Sequence, residues 1–409
     1  MNVASRGGIG TAAALTRPLE GLRVIEVSSF VAAPLGGMTL AQLGAEVIRV
    51  DPVGGAADRD RWPLAPDGTS LFWEGLNRGK KSVALDLTRP EGKAILADLV
   101  CAEGDGGGGG ILLTNAPQRP WNSHETLSAR RGDVIRIALS GNFDGSQAVD
   151  YTINCAGGFA LATGPDETPV NHVLPAWDMA AGLYLSTAIL AADRHRMRTG
   201  RGQSVELALS DVMISMLGSL GYLADIQVNG STRSALGNDL YGAFGRDFRT
   251  RDGRDVMIVA LTARQWHALC GATGLDPALP GPEPTGGDLY RARREIARAL
   301  DGWCAERTHD EIAAIFDAHR VLWGPYNDFA TFFRSDRRCS TENPLMRRVD
   351  HPGAGPILMP GCPLHFSESG PDTAADAPVF GGDGVEVLGS VLGLGRARID
   401  ALIERGLLG

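Results

Sequence analysis

The chemistry open to this chain narrows by elimination. No GxSxG, HExxH or Walker loop occurs in its 409 residues, so the serine-hydrolase, zinc-protease and phosphate-loop arrangements all lack their essential groups. The six cysteines (Cys101, Cys155, Cys270, Cys304, Cys339 and Cys362) form no CxxC pair, and the eight histidines form no HxxxH pair. Neither a zinc knuckle nor a disulfide framework is spelled out, and a reducing cytoplasm is the simplest compartment. What remains is a carboxylate in a special position. Asp178 follows Pro175-Ala176-Trp177 and opens an alanine- and leucine-rich stretch that ends in Arg194-His195-Arg196. Backbone N–H groups and the dipole favour a carboxylate at a helix start by about 0.3–1 kcal/mol, so Asp178 is expected to be ionised and held by the backbone. The plain alternative is a cap with no chemistry. His172 is an acid–base candidate whose plain alternative is a structural hydrogen bond, and Trp177 reads as packing.

The elements that must position this carboxylate follow an α/β alternation. Leu22–Val27 and Glu46–Val50 read as buried strands flanking a small-residue turn, Ser28–Gly37, and a helix from Met38, a parallel strand–helix–strand unit. Asp51 sits where a dinucleotide site keeps its acidic residue, but the first turn, SSFVAAPLGGM, has no GxGxxG. Further strands are expected at Ser82–Leu87, Ile111–Thr114, Val134–Leu139 and Ser204–Leu209, with a helix opened by Pro90 and another capped by Ser210 or Asp211. The run Gly106–Gly110 lacks a following GKS/T and reads as a connector. Residues 225–255 are loop-rich, Val256–Leu261 is a strand, and helices follow near 289–306 and 309–319.

Composition bounds the rest. The chain carries 39 basic and 48 acidic residues, a net charge of −9, which argues against nucleic-acid binding. Its 54 glycines are scattered, pointing to tight turns and close backbone approaches. No apolar run reaches the roughly 18 residues of a membrane span. Residues 1–17 read as a flexible N-terminal tail.

Several segments, taken in order, resemble the class III CoA-transferases, the family that also holds the α-methylacyl-CoA racemases. They are PLEGLRVIEVSSFVAAPLGGMTLAQLGAEVIRVDP, NRGKKSVALDLTRPEGKAIL, Asn115 at a strand end, the Asp178 helix and TGRGQSVELALSD. VSSFVAAPLGGMTLAQLGAEVIR, SLFWEGLNRGKKS, VNHVLPAWDMAAG and GNDLYGAFGRDF look closest to a branch that moves CoA between the two carboxylates of mesaconate. The resemblance implies a Rossmann-like large α/β domain with a parallel sheet, a smaller α+β domain and an interlocked homodimer with the active site between subunits. The corresponding boundaries are 18–224 for the large domain, 225–335 for the small one, and 336–409 for a segment returning to the large domain.

On this resemblance Asp178 is the nucleophile, an acyl-CoA is the substrate, and no metal or redox cofactor is implied. Intermolecular transfer between two acids and a CoA-binding scaffold are the alternatives. Racemisation is disfavoured, because Val149, beside Asp150 and Tyr151, stands where the racemases keep a proton-transferring histidine. Ser29-Phe30-Val31 replaces a His-Val-Gln turn, Ala116 replaces an aromatic after Asn115, and Gly381-Gly382-Asp383-Gly384 replaces Gly-Glu-His-Thr. Candidates to hold CoA are Arg78, Lys80, Lys81, Arg89 and Arg119 for its phosphates, with Asn115, Ser29, Phe30, Val31 and Tyr151 lining the substrate. Gly237, Asn238 and the loop 241–247 are expected to form a glycine-spaced lid, with Arg246 gripping a free carboxylate.

Overall fold

A computed structural model describes residues 17–166, 168–351, 353–370 and 375–409, so the expected tail lies outside it apart from Arg17. The chain divides into two compact units. One gathers the chain up to Ile153, Leu174–Met216 and Ser340–Gly409; the other holds Asn154–Val173 and Leu217–Cys339. The expected boundaries differ in three places, the first being that the longer stretch of the second unit begins at Leu217 and not at 225. Segment 154–173 groups with the second unit, and the return to the first begins at Ser340.

The first unit is built on a six-stranded sheet of order β3-β2-β1-β4-β5-β6. Its strands are β1 (Arg23–Val27), β2 (Glu46–Pro52), β3 (Lys81–Leu85), β4 (Ile111–Thr114), β5 (Ile135–Ser140) and β6 (Ser204–Ala208). Every neighbouring pair is parallel, as the α/β alternation requires. The central strands are buried on both faces, which explains their unbroken apolar runs: Val24 and Ile25, Val47 and Ile48, Ile111–Leu113 are all at most 1% exposed. The chain leaves β1 toward β2 and β3 on one side, and β4, β5 and β6 lie on the other. A crevice therefore opens outside the carboxyl ends of β1 and β4, where open α/β sheets take their ligands. Val27 pairs with Thr114, so the two strand ends are level, and Thr114 Oγ1 donates to the Val27 carbonyl at 2.8 Å.

Two helices frame that crevice. The first, Ala32–Gln42, starts six residues earlier than expected from the sequence. Its glycines, each costing a helix about 1 kcal/mol, permit close packing against the long helix Ala176–Thr199. A Cβ on Gly182 would come within 2.7 Å of the Ala32 carbonyl, and one on Gly36 within 3.0 Å of the Gly182 carbonyl. Ser186 Oγ donates to the Gly36 carbonyl at 3.0 Å. Contacts thus advance together along both helices, 182 on 32 and 186 on 36, so the pair runs parallel. The helix expected to be capped by Ser210 or Asp211 instead begins at Leu209, directly after β6, with both residues inside its first turn.

The C-terminal segment completes the same core. Val387, Leu388, Ile399, Leu402, Leu407 and Leu408 pack with Ile48, Val50, Val83 and Leu85. Asp383 caps nothing with its side chain; its carboxylate accepts the Ser82 backbone N–H at 2.8 Å, tying the segment to β3.

The second unit holds an antiparallel sheet, β7 (Phe244–Arg249), β8 (Asp255–Ala260) and β9 (Leu322–Pro325). Helices Ala263–Thr273, Gly286–Ala305 and His309–His319 supply the rest of its core, with Phe244, Ile258, Trp266, Leu300 and Phe316 fully buried. Residues 244–247, expected to be part of a loop, are strand: Phe244 and Phe248 on one face are buried, with Arg246 half-buried between them. Among the described residues no single helix is long and apolar enough to cross a membrane.

Candidate active site

Parallel packing of the two helices fixes the place of Asp178. It lies one turn before Gly182 on the same face of the long helix, which directs it toward the stretch that precedes Ala32. The helix begins at Ala176, and Asp178 lies inside its first turn, not ahead of it. The expected backbone cradle is made by another residue. Asp150 Oδ2 accepts the backbone N–H groups of Trp177 at 2.7 Å and Asp178 at 3.1 Å. This corrects the sequence expectation, because the carboxylate capping the helix belongs to Asp150. Asp178 is half-buried, and its carboxyl is pushed up to about 6, first by burial and then by the like charge of Asp150, with Arg61 pulling the other way. Around neutral pH it is mostly ionised, and its desolvation makes it a stronger nucleophile than a carboxylate in water.

The floor of the crevice is clamped by Asn115. Its Oδ1 accepts the Ser29 N–H at 3.1 Å and its Nδ2 donates to the Ser29 carbonyl at 2.8 Å, locking the loop after β4 to the loop after β1. Phe30 follows with φ of 67°, a left-handed conformation rare for a residue with a side chain. Its N–H donates to Asp58 Oδ2 at 2.9 Å, and Asp58 is held by Arg49 Nη2 at 3.1 Å. The strained turn is thus anchored from below. Asn115 and Ser29 are joined directly, Phe30 and Val31 follow on the same turn, and Arg61, which lies over the Phe30 ring, also acts on the Asp178 carboxylate.

Other predicted residues are placed differently. Lys80, expected to meet a CoA phosphate, is fully buried and spends its donors on Glu26 Oε1 (2.9 Å), the Pro34 carbonyl (2.8 Å) and Asn77 Oδ1 (2.8 Å). Burial pulls its ammonium down to about 8 against the attraction of Glu26. It belongs to the core. Asp51 is likewise buried, in a bidentate pair with Arg49 (2.8 and 3.0 Å), so it offers nothing to a ribose. Lys81 pairs with Glu46 and Glu386, Arg78 donates to the Pro360 carbonyl, and Arg89 donates to the Arg405 carbonyl at 2.9 Å. Arg119 is exposed on the loop after β4, and Tyr151 is exposed beside Asp150. Val149, expected to replace a racemase histidine, is exposed. His172, Gly237, Asn238 and Arg246 all belong to the second unit. There Arg246 lies on β7 with its Nε 3.8 Å from Asp239. Trp177 is buried, in keeping with packing.

Sequence reasoning missed two residues. Asp150 was visible only as a neighbour of Val149, because capping by a residue 28 positions away leaves no local pattern. Arg61 sits in an irregular stretch, RDRWP, that carries no periodicity. Its guanidinium lies over the Phe72 ring at 4.9 Å from the centroid and over the Phe30 ring at 5.6 Å.

The parallel sheet opens a crevice at its switch point, and a half-buried carboxylate with a raised pKa stands in the first turn of the long helix. The chain belongs to CoA-transferase family III, whose sequence profile matches residues 19–384. It is thus an enzyme of the CoA-transferase class. It is 48% identical over 400 residues to the 2-methylfumaryl-CoA isomerase of Chloroflexus aurantiacus, covering 95% of this chain and 97% of that one. It is 28% identical to the succinyl-CoA:mesaconate CoA-transferase of Haloarcula hispanica, over 94% of this chain and 99% of the relative. Its fold matches the crystal structure of a CaiB/BaiF family protein from Brucella suis with a TM-score of 0.75 at 24% identity, over 91% of this chain and 99% of that one.

Proposed function

We propose that the protein is an intramolecular CoA transferase that moves CoA from the C1 to the C4 carboxylate of mesaconate, converting 2-methylfumaryl-CoA to 3-methylfumaryl-CoA. The observation that carries this reading is the half-buried Asp178 at the crevice mouth, capping nothing and poised with a raised pKa. The 48% identity over nearly the whole chain to a 2-methylfumaryl-CoA isomerase supports the choice of substrate.

The steps balance without a further reagent. An Asp178 carboxylate oxygen attacks the thioester carbonyl, the C–S bond breaks, and CoA leaves as a thiolate, giving a mixed anhydride. The thiolate attacks the Asp178 carbonyl carbon and expels mesaconate as a dicarboxylate, leaving an aspartyl-CoA thioester. The other carboxylate of mesaconate attacks that thioester and expels the thiolate again. The thiolate then attacks the substrate carbonyl of the new anhydride, forming the isomeric thioester and restoring the Asp178 carboxylate. Every intermediate is an acyl group on oxygen or sulfur, so CoA itself is the only carrier needed. The Ala32 helix has no side-chain cap, and its first N–H groups offer donors to the oxyanions that form at the Asp178 carbonyl. Asn115 and Ser29 shape the acyl site, while Arg119, exposed on the loop after β4, is the predicted basic side chain that meets the nucleotide end of CoA.

Transfer between two separate acids is the second reading, supported by the 28% identity to a succinyl-CoA:mesaconate transferase. Incubation with the C1 thioester and isotopically labelled free mesaconate tests both. Isomer without label is the expected result, and isomer carrying label at the rate of turnover overturns it in favour of the second reading. Hydroxylamine is expected to trap Asp178 as its hydroxamate during turnover. Isomerisation with no adduct at Asp178 would exclude the aspartyl route.

A further inference from the structure

Arg61 is a half-buried cation that acts on the Asp178 carboxylate through space but is in hydrogen-bonded contact with no anion among the described residues. Among the described residues its guanidinium makes no hydrogen bond or ion pair; its neighbours are the Phe72 and Phe30 rings. Its backbone is well held: the Arg61 N–H donates to the Asp58 carbonyl at 3.3 Å, and the Arg61 carbonyl accepts Ser70 Oγ at 2.5 Å. Phe30 is itself pinned through Asp58. Aromatic contact restrains the guanidinium plane while leaving its N–H edge open, and that edge matches the two oxygens of a carboxylate. The guanidinium is also close enough to Asp178 to act on its carboxylate, so it stands at the same end of the long helix as the reactive group.

We propose that Arg61 anchors the substrate carboxylate that is not reacting at Asp178, and so keeps the released diacid in the site between the two halves of the transfer. This rests on the acyl-transfer reading above and specifies how it becomes intramolecular. With the substrate bound as its C1 thioester, the free C4 carboxylate lies on Arg61. Once Asp178 carries the acyl group or CoA, its own negative charge is gone and Arg61 faces only the diacid. Isomerisation then requires the two carboxylates to exchange places, one leaving Arg61 to attack the aspartyl thioester while the other takes its seat. No bond to Arg61 forms or breaks; its work is retention. Arg246, first read as the carboxylate grip, already has Asp239 beside it.

The test compares the native enzyme with Arg61→Gln and Arg61→Lys. In Arg61→Gln, isomerisation is expected to fall about 100-fold, while the fraction of product carrying label from added free mesaconate rises about tenfold. Arg61→Lys is expected to recover part of both, since it keeps the charge and loses the two-pronged edge. Native isomerisation and native label exclusion in Arg61→Gln would overturn the proposal. Calorimetric binding of free mesaconate, with crotonate as a single-carboxylate control, separates this proposal from the mechanism it rests on. Arg61→Gln is expected to lose the preference for the diacid even if no Asp178 adduct is ever trapped. An unchanged preference would overturn the anchor even if the adduct is found. Arg61→Lys carries the comparison should the glutamine variant not fold.

Discussion

Two layers of charge lie one above the other in the first unit, and they are treated in opposite ways. In the lower layer, beneath the β1–β2–β3 edge, Glu26, Arg49, Asp51, Asp58, Asn77 and Lys80 are all at most 5% exposed, and each is hydrogen-bonded to another member. In the upper layer, at the crevice mouth, Asp178 is half-buried with a raised pKa, and Arg61 acts on it through space while resting against ring faces. Burying charge is tolerable only when it is paired, so the lower layer is a solved structural problem. The upper layer carries an unmet electrostatic cost, which is the mark of a site awaiting a ligand. The two are joined through Asp58, which takes a guanidinium N–H from below and the Phe30 N–H from above.

Substitutions on either side of that divide should have different signatures. The largest effect belongs to Asp178→Asn, which is expected to lower turnover by about 10³-fold or more. Its stability should move the other way. A folded carboxyl raised to about 6 costs stability when ionised, so the cost is full above that pH and absent below the unfolded value near 3.8. Asp178→Asn should therefore melt above the native chain at pH 8, with the gap closing as pH falls below about 6. A variant that is both inactive and less stable at pH 8 would break the contrast.

In the lower layer, Lys80→Met strands Glu26 in the core and is expected to cost about 3–5 kcal/mol in urea unfolding. A soluble, equally stable Lys80→Met enzyme with a raised KM for acyl-CoA would restore Lys80 to the substrate site. Gly182→Ala should be milder, at about 1–3 kcal/mol, because a Cβ 2.7 Å from the Ala32 carbonyl forces the helices apart. It should lower kcat as well, since the same shift moves Asp178 away from the stretch that precedes Ala32, and a loss of stability with native kcat would refute that placement.

The smallest effect is the most diagnostic. Activity needs ionised Asp178 and should fall as pH drops through about 6. Asp150→Asn keeps an oxygen for the Trp177 N–H but removes the charge that helps raise Asp178, so the acid limb of kcat/KM should move to lower pH. A limb that stays put, or moves up, would show that Asp150 acts only as a cap.

Much of the first unit was legible because its strands are buried on both faces and show as unbroken apolar runs. The carboxylate at the start of the long helix was legible too, as a residue if not in its role. What escaped were features set by tertiary contact. A helix rich in glycine and opened by Ala32-Ala33-Pro34 reads as a turn until the helix that it packs against is known. β7 hides because Gly245, Arg246 and Asp247 interrupt the alternation. Adjacent lysines diverge completely: Lys80 turns into the core while Lys81, at the first position of β3, reaches Glu46 and Glu386 near the surface. Composition cannot separate them. The position of one residue relative to a strand's beginning does.

The cap on the Ala176 helix has one more consequence. Asp150 secures the first turn from a separate segment, so the Asp178 side chain bears no part of the scaffolding at that point. Loading a bulky group onto it, and unloading it again, would leave the helix terminus fastened throughout. The architecture is thereby insulated from whatever covalent cargo the reactive residue happens to hold.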